Sequence, residues 1–184
     1  EYLGPAPELY LPAIFDPKTD NTDPAGLAEL IRLINQAPAD ELGKYIDVND
    51  VLLHAAAETA LANWDGLIGT NGLRNFYLYR RSSSRQALLL GWDMDAAFTD
   101  YYWPLFDNLN NNILTTRLLT VPSNRQRFLE ALDDAAHAMG DDNWLANEIE
   151  RVYPLIQQAA YTDPYKLCRV GPDIGPCTNA MFDL

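Results

Sequence analysis

Apolar positions recur every three or four residues along much of the chain and alternate in one short stretch. Leu27, Leu30, Ile31 and Ile34 fall on one face of a helix over residues 24–36. Asp23 followed by Pro24 supplies an N-cap and a first helical residue. Val51, Leu52, Ala55, Ala56, Thr59 and Ala60 predict a second helix over 48–63, capped by Asp47. Its small residues predict close packing. Short helices are expected over 39–45 and 113–119, with turns over 100–112 between the second of these and what precedes it. Pro122 breaks the chain there, and Ser123 caps a helix over 124–139 with Phe128, Leu129 and Leu132 in its buried stripe. Gly140 ends it. Asp142 or Asn143 opens a last helix over 144–160, in which Pro154 predicts a kink or break at 151–153.

The alternating stretch is residues 75–79, Asn-Phe-Tyr-Leu-Tyr. A polar, serine-rich segment, 80–85, and a second apolar run, 86–90, follow it. Together they predict a β-hairpin against a helical body. The expected fold is therefore one α-rich α+β domain over 1–184. Residues 1–23 read as an extended arm, in which 9–15 could pair only as an edge because of Pro12. Residues 162–184 read as a loop-like tail.

Composition narrows the function. The chain has 184 residues, 48% of them hydrophobic, a net charge of −13 and a pI near 4.3. Such a surface repels nucleic-acid backbones and attracts divalent cations or basic partners. No apolar run approaches the length of a membrane helix, about 20 residues. A chain beginning at Glu1 reads as a processed product or a fragment. Cys168 and Cys177 close a short Gly- and Pro-containing loop, which predicts a disulfide and an oxidising, extracytoplasmic compartment. His54 and His137 lie on helical patterns as surface or packing residues, too far from the cysteines for a zinc site. Asp16, Asp20 and Asp23 read as a solvated loop, with weak calcium binding as the alternative.

Two acidic clusters bracket the hairpin. Asn63-Trp64-Asp65-Gly66 precedes it, and Trp92-Asp93-Met94-Asp95 follows it. A hairpin folds back on itself, so Asp65, Asn75 and Asp93 can gather at its open end. Two carboxylates and an amide oxygen are hard ligands suited to a hydrated magnesium ion that binds phosphate. The bland alternative makes Asp65 a turn residue before glycine, and Asp93 and Asp95 solvated hairpin ends. On that alternative Trp64, Tyr77, Tyr79 and Trp92 are core and rim aromatics rather than substrate contacts.

The ordered set N-W-D-G, N-F-Y-L-Y and W-D-M-D-A-A-F resembles the spore-coat protein H (CotH) kinase family, an atypical branch of the protein-kinase-like fold. The resemblance implies a catalytic role for Asp65 and metal-holding roles for Asn75 and Asp93, with Asp95 assisting. It implies transfer of the γ-phosphoryl of ATP to Ser or Thr of a protein, with magnesium or manganese. Arg74 stands where the family often has Asn, and Gly91 where it usually has Pro. No Gly-rich phosphate loop or strand lysine can be placed here. The chain is thus expected to be the C-terminal lobe, needing an N-terminal lobe as partner. The alternatives are a non-catalytic pseudokinase-type surface, coat or fibre module, and a calcium-stabilised adhesion domain.

Overall fold

The computed structural model describes residues 1–80, 84, 86–98, 100, 102–141, 143–170 and 173–183. They are α+β and mostly helical, with two small antiparallel sheets, in two compact units, 1–135 and 136–184.

In the first unit, α1 (Pro24–Gln36) begins where the Asp23-Pro24 pair places it. The Asp23 carboxylate accepts from the Gly26 amide at 2.9 Å. A 3₁₀ turn, Ala39–Lys44, leads to α2 (Val48–Ala60), where Asp47 accepts from the Asp50 amide at 3.1 Å. Helix α2 stops short of residue 63, because Ala62 turns left-handed at φ 51°. The amides of Ala62 and Asn63 bond back to Thr59 O and Glu58 O, the reciprocal pattern that closes a helix.

Strands β1 (Phe76–Arg80) and β2 (Ala87–Gly91) pair antiparallel, from Phe76 opposite Gly91 to Arg80 opposite Ala87. Each lies one residue later than the alternation suggests, since Asn75 is left-handed at φ 53° and cannot extend the strand. Of the expected turn, residues 81–83 and 85 lie outside the described residues. The outer rim of β2 is covered. The Ala87 amide bonds to Tyr45 O at 2.8 Å, and the Leu89 amide to the Asp50 carboxylate at 3.2 Å.

Helix α3 (Ile113–Leu118) is capped by Asn112, which accepts from the Thr115 amide. Helix α4 (Pro122–Met139) starts at Pro122 rather than behind Ser123; a proline fits a first helical position, whose N–H has no helical partner. The core gathers Leu42, Ile46, Leu52, Leu67, Ile68 and Leu118, with Leu89 from β2 and Phe128 and Ala131 from α4. Leu129, expected in the stripe, is 38% exposed; Ala131 takes the inner place. The Arg117 guanidinium donates to Ile34 O and Ala37 O, closing the end of α1.

Residues 9–15 form no edge strand. Their amides bond locally, Leu9 to Ala6 O and Ile14 and Phe15 to Tyr10 O, after a 3₁₀ turn at Pro7–Leu9. Tyr10 is buried, and its hydroxyl accepts from the Leu3 amide and donates to Gly4 O.

In the second unit, α5 (Trp144–Thr162) runs through Pro154 without the expected break. The cap is Asn143, left-handed at φ 51°; Asp142 lies outside the described residues. The tail is more ordered than a loop. Strands β3 (Leu167–Val170) and β4 (Asp173–Pro176) pair with Cys168 opposite Gly175, and α6 (Asn179–Phe182) follows. The Cys168–Cys177 disulfide is present as the spacing predicts. Among the described residues no helix is long and apolar enough to cross a membrane.

Phe182 stacks on Tyr153, and Asp183 accepts from the Tyr153 and Tyr161 hydroxyls. The Asp183 bond, with a further contribution from Tyr153, pushes the Tyr161 phenol up to about 12. The same two hydroxyl bonds hold Asp183 below the usual carboxylate range. The sign follows. Ionised Asp183 stabilises this end of the unit above its unfolded pKa, and that stability is lost as pH falls through the lower folded value. Conversely, Tyr161 contributes until pH rises through about 12. Alkaline titration of tyrosinate absorbance is expected to show one late-ionising tyrosine, which Asp183→Asn returns toward 10. A wild-type titration without a late step refutes the clamp.

Candidate functional site

The site starts where α2 ends. Asn63 is buried, and its Nδ2 meets Met94 Sδ at 3.3 Å. Its Oδ1 is buried without a hydrogen-bond partner among the described residues. Beyond it the chain makes a tight loop. The Thr70 amide bonds to Trp64 O at 2.8 Å, and the Arg74 amide to Gly66 O at 3.2 Å. A side chain at Gly69 would lie 2.3 Å from Trp64 O, so only glycine fits there. Asn112 Nδ2 donates to Leu67 O at 2.9 Å and Asn111 Nδ2 to Gly69 O at 3.4 Å, strapping the loop from α3's side.

Asp65 is thereby held half-buried. Three neighbours surround its carboxylate: Asn75 Nδ2 at 3.3 Å, Asn71 Nδ2 at 3.4 Å and the Arg74 guanidinium at 3.5 Å. Asn75 also donates to Asp65 O at 2.7 Å. A carbonyl only accepts, so this bond fixes which end of the amide is nitrogen. No described donor reaches Asn75 Oδ1, which remains available to a ligand.

The other half of the site hangs from the hairpin's last rung. The Trp92 amide bonds to Asn75 O at 2.9 Å, and the Trp92 ring lies 5.3 Å from that of Tyr77. Asp93 follows, left-handed at φ 56°, and Asp95 lies in the 3₁₀ turn Met94–Ala96. Asn75 and Asp93 thus leave the two strands by the same left-handed step, which Asn and Asp tolerate better than most residues. Both acids are exposed, and no described residue hydrogen-bonds to either carboxylate.

Of the expected residues, Asp65 and Asn75 are brought into direct contact. Among the described residues Asp93 is tied to them through backbone alone, by the Trp92 amide on Asn75 O, and no bond joins Asp95 to the set. Among the described residues no group of three or more His, Cys, Asp or Glu side chains could hold a metal. The donors on offer are instead mixed: the Asp65 carboxylate, the open Asn75 Oδ1 and the unengaged Asp93. All are hard oxygens, the donor chemistry that a hydrated magnesium ion takes. Elsewhere, Asp16 pairs with Lys18 at 2.6 Å, and Asp23 caps α1 and meets Arg80 at 3.3 Å.

Sequence reasoning passed over Glu58, although it falls seven residues after Val51 on the buried face of α2. It also treated Asn111 and Asn112 only as part of a turn region. Their role depends on contacts across some forty residues, for which the sequence carries no local signal.

A capped helix thus delivers an Asp-Gly turn to a hairpin closed by an asparagine, with an exposed acid beyond its second strand. The protein belongs to the CotH family: the family model described as CotH kinase protein matches residues 13–174. No curated protein and no solved structure matches the chain.

Proposed function

We propose that this chain is the C-terminal, metal-holding lobe of an atypical protein kinase that transfers the γ-phosphoryl of ATP to Ser or Thr of a protein. The observation that carries the reading is the Asp65–Asn75 contact at the hairpin mouth, one rung from Asp93. Asp65 orients the substrate hydroxyl and accepts its proton. Asn71, Arg74 and Asn75 hold that carboxylate in one direction, the positioning on which such transfer depends. Asn75 Oδ1 and Asp93 hold magnesium or manganese, with Asp95 beside them. When bound, the metal neutralises charge on the phosphates. The disulfide supports an oxidising, extracytoplasmic setting, in which an N-terminal lobe completes the nucleotide site.

One observation favours a second, non-catalytic reading. Arg74 occupies the rim of Asp65, and its charge competes there with an incoming cation. A binding or coat module would keep the acidic hairpin end and lose the transfer.

Metal binding separates the two. Titrated with manganese and followed by electron paramagnetic resonance, the chain is expected to bind one ion. Asp93→Ala is expected to weaken it by at least the ~10–100-fold that outer-shell changes alone cost. Equal affinity in Asp93→Ala would sink the assignment.

A further inference from the structure

Beneath the site lies an ionisable pair that the proposed chemistry does not use. Glu58 and His54 are one turn apart on the inner face of α2. Their side chains are 1% and 11% exposed, with His54 Nε2 3.1 Å from Glu58 Oε1. Glu58 Oε2 accepts from the Ile68 amide at 3.3 Å, inside the loop that carries Asp65. Burying a carboxylate is costly, and packing alone would be served as well by leucine. The pair therefore calls for a role beyond filling space.

Its surroundings give one. A side-chain carbon at Gly66, next to Asp65, would stand 2.3 Å from both Glu58 carboxylate oxygens. The Asp65-Gly66 backbone rests directly on Glu58. A side-chain carbon at Gly91, two residues before Asp93, would stand 3.0 Å from His54 Nε2 and 2.7 Å from the Met94 methyl. The Gly91-Trp92 backbone rests on His54. Each half of the site thus sits on one member of the pair, and both backbones come close enough only because they are glycine there. The Asn75 bonds, the Asn63–Met94 contact and the Phe98 amide on Leu61 O at 2.6 Å also link the two halves, but none of them lies beneath both glycines.

We infer that His54 and Glu58 form a buried positioning couple that registers the Asp65 loop against the Asp93 turn, so that the spacing of the metal donors is set through their single hydrogen bond. The consequence for metal affinity rests on the function proposed above; the mechanical coupling does not.

The 184-residue chain tests both. Glu58→Leu and His54→Leu keep volume and remove the bond, while Asn63 and Asn75 stay in place. Each is expected to weaken manganese binding by about 10–100-fold. The double variant is expected to be no worse than either single one, because the two act through one contact. Glu58→Gln, which can accept from Ile68 and donate to a neutral His54, is expected to restore most of the affinity. Amide hydrogen exchange reads the coupling without metal. His54→Leu is expected to speed exchange at Ile68, and Glu58→Leu at Trp92, each on the far side of the pair. A residue that merely packs would lower the melting temperature but leave the far side unmoved.

Wild-type affinity in the folded leucine variants, additive losses in the double variant, or faster exchange confined to the near side would each overturn the inference. Should Glu58→Leu not fold, His54→Leu decides by the same two readings. If the wild-type chain binds no manganese, the proposed function fails, and the exchange pattern alone decides the coupling.

Discussion

If the chain works as the kinase lobe proposed above, Asp65→Asn, assayed with an N-terminal lobe supplied, is expected to lower phosphoryl transfer by about 10²–10⁴-fold, the usual worth of a positioned general base. The substitution is nearly isosteric, so the loop pinned by Asn111 and Asn112 keeps its shape. The amide cannot take the hydroxyl proton, and its nitrogen faces the nitrogens of Asn71, Arg74 and Asn75, which now lack an anionic acceptor. The loss should fall on kcat, with KM for the protein substrate little changed, because the hydroxyl is oriented only at the reacting step. The isolated chain is expected to be nearly inactive whatever residue stands at 65. Fixing the phosphates contributes positioning that can reach about 7–11 kcal/mol of barrier, and no described residue clamps a nucleotide. Radiolabelled ATP and a serine-rich protein provide the assay, with magnesium and with manganese. Full transfer by Asp65→Asn would remove Asp65 from the mechanism and leave the non-catalytic reading ahead.

Phe128→Ala is expected to destabilise the first unit by about 3–5 kcal/mol. Its ring is 1% exposed and lies in the same cluster as Leu42, Leu67, Ile68 and Leu118. The residues around it come from α2, α3, α4 and the Asp65 loop, and cannot all close the gap together. Against a typical total of about 5–15 kcal/mol, such a loss takes about a fifth or more of the stability of a domain. Leu129→Ala, one residue on, is expected to cost only about 1 kcal/mol, since the side chain is already partly in water. Urea unfolding of both variants measures the contrast. Equal costs would mean that α4 faces the core differently.

That contrast shows where the sequence was readable. Helical spacing placed α1 to the residue and α2 at its start, because Asp23 and Asp47 are caps whose bonding is local. It could not place the edge of the α4 stripe: Ala131, three residues on from Phe128, shares the buried face, whereas Leu129 is turned about 100° away from Phe128, and which side is covered depends on what packs opposite. The hairpin was visible from its alternation, but its ends were not. The left-handed steps arise from the loop that precedes Asn75 and the turn that follows Asp93. The tail hairpin was missed because Gly-Pro segments signal loops, whereas backbone pairing around Cys168 decided the outcome. At the site, the residue types and their order were legible as a family resemblance. Glu58 was not, because a charged residue on a helix reads as solvated until the loop above it is in view.

Ala87 and Leu89 direct their outward amides at Tyr45 and Asp50, and this decides how the hairpin meets other chains. Unpaired strand edges are templates for aggregation. Here β2 is covered at Ala87 and Leu89, while the backbone rim of β1, at Phe76, Leu78 and Arg80, has no such cover among the described residues. A newcomer strand would have to join beside Arg80, whose charge lies at one end of that rim. The hairpin that exposes the acidic site is thus guarded against polymerising: one side is covered by the chain's own preceding turn, and the other is marked by a cation.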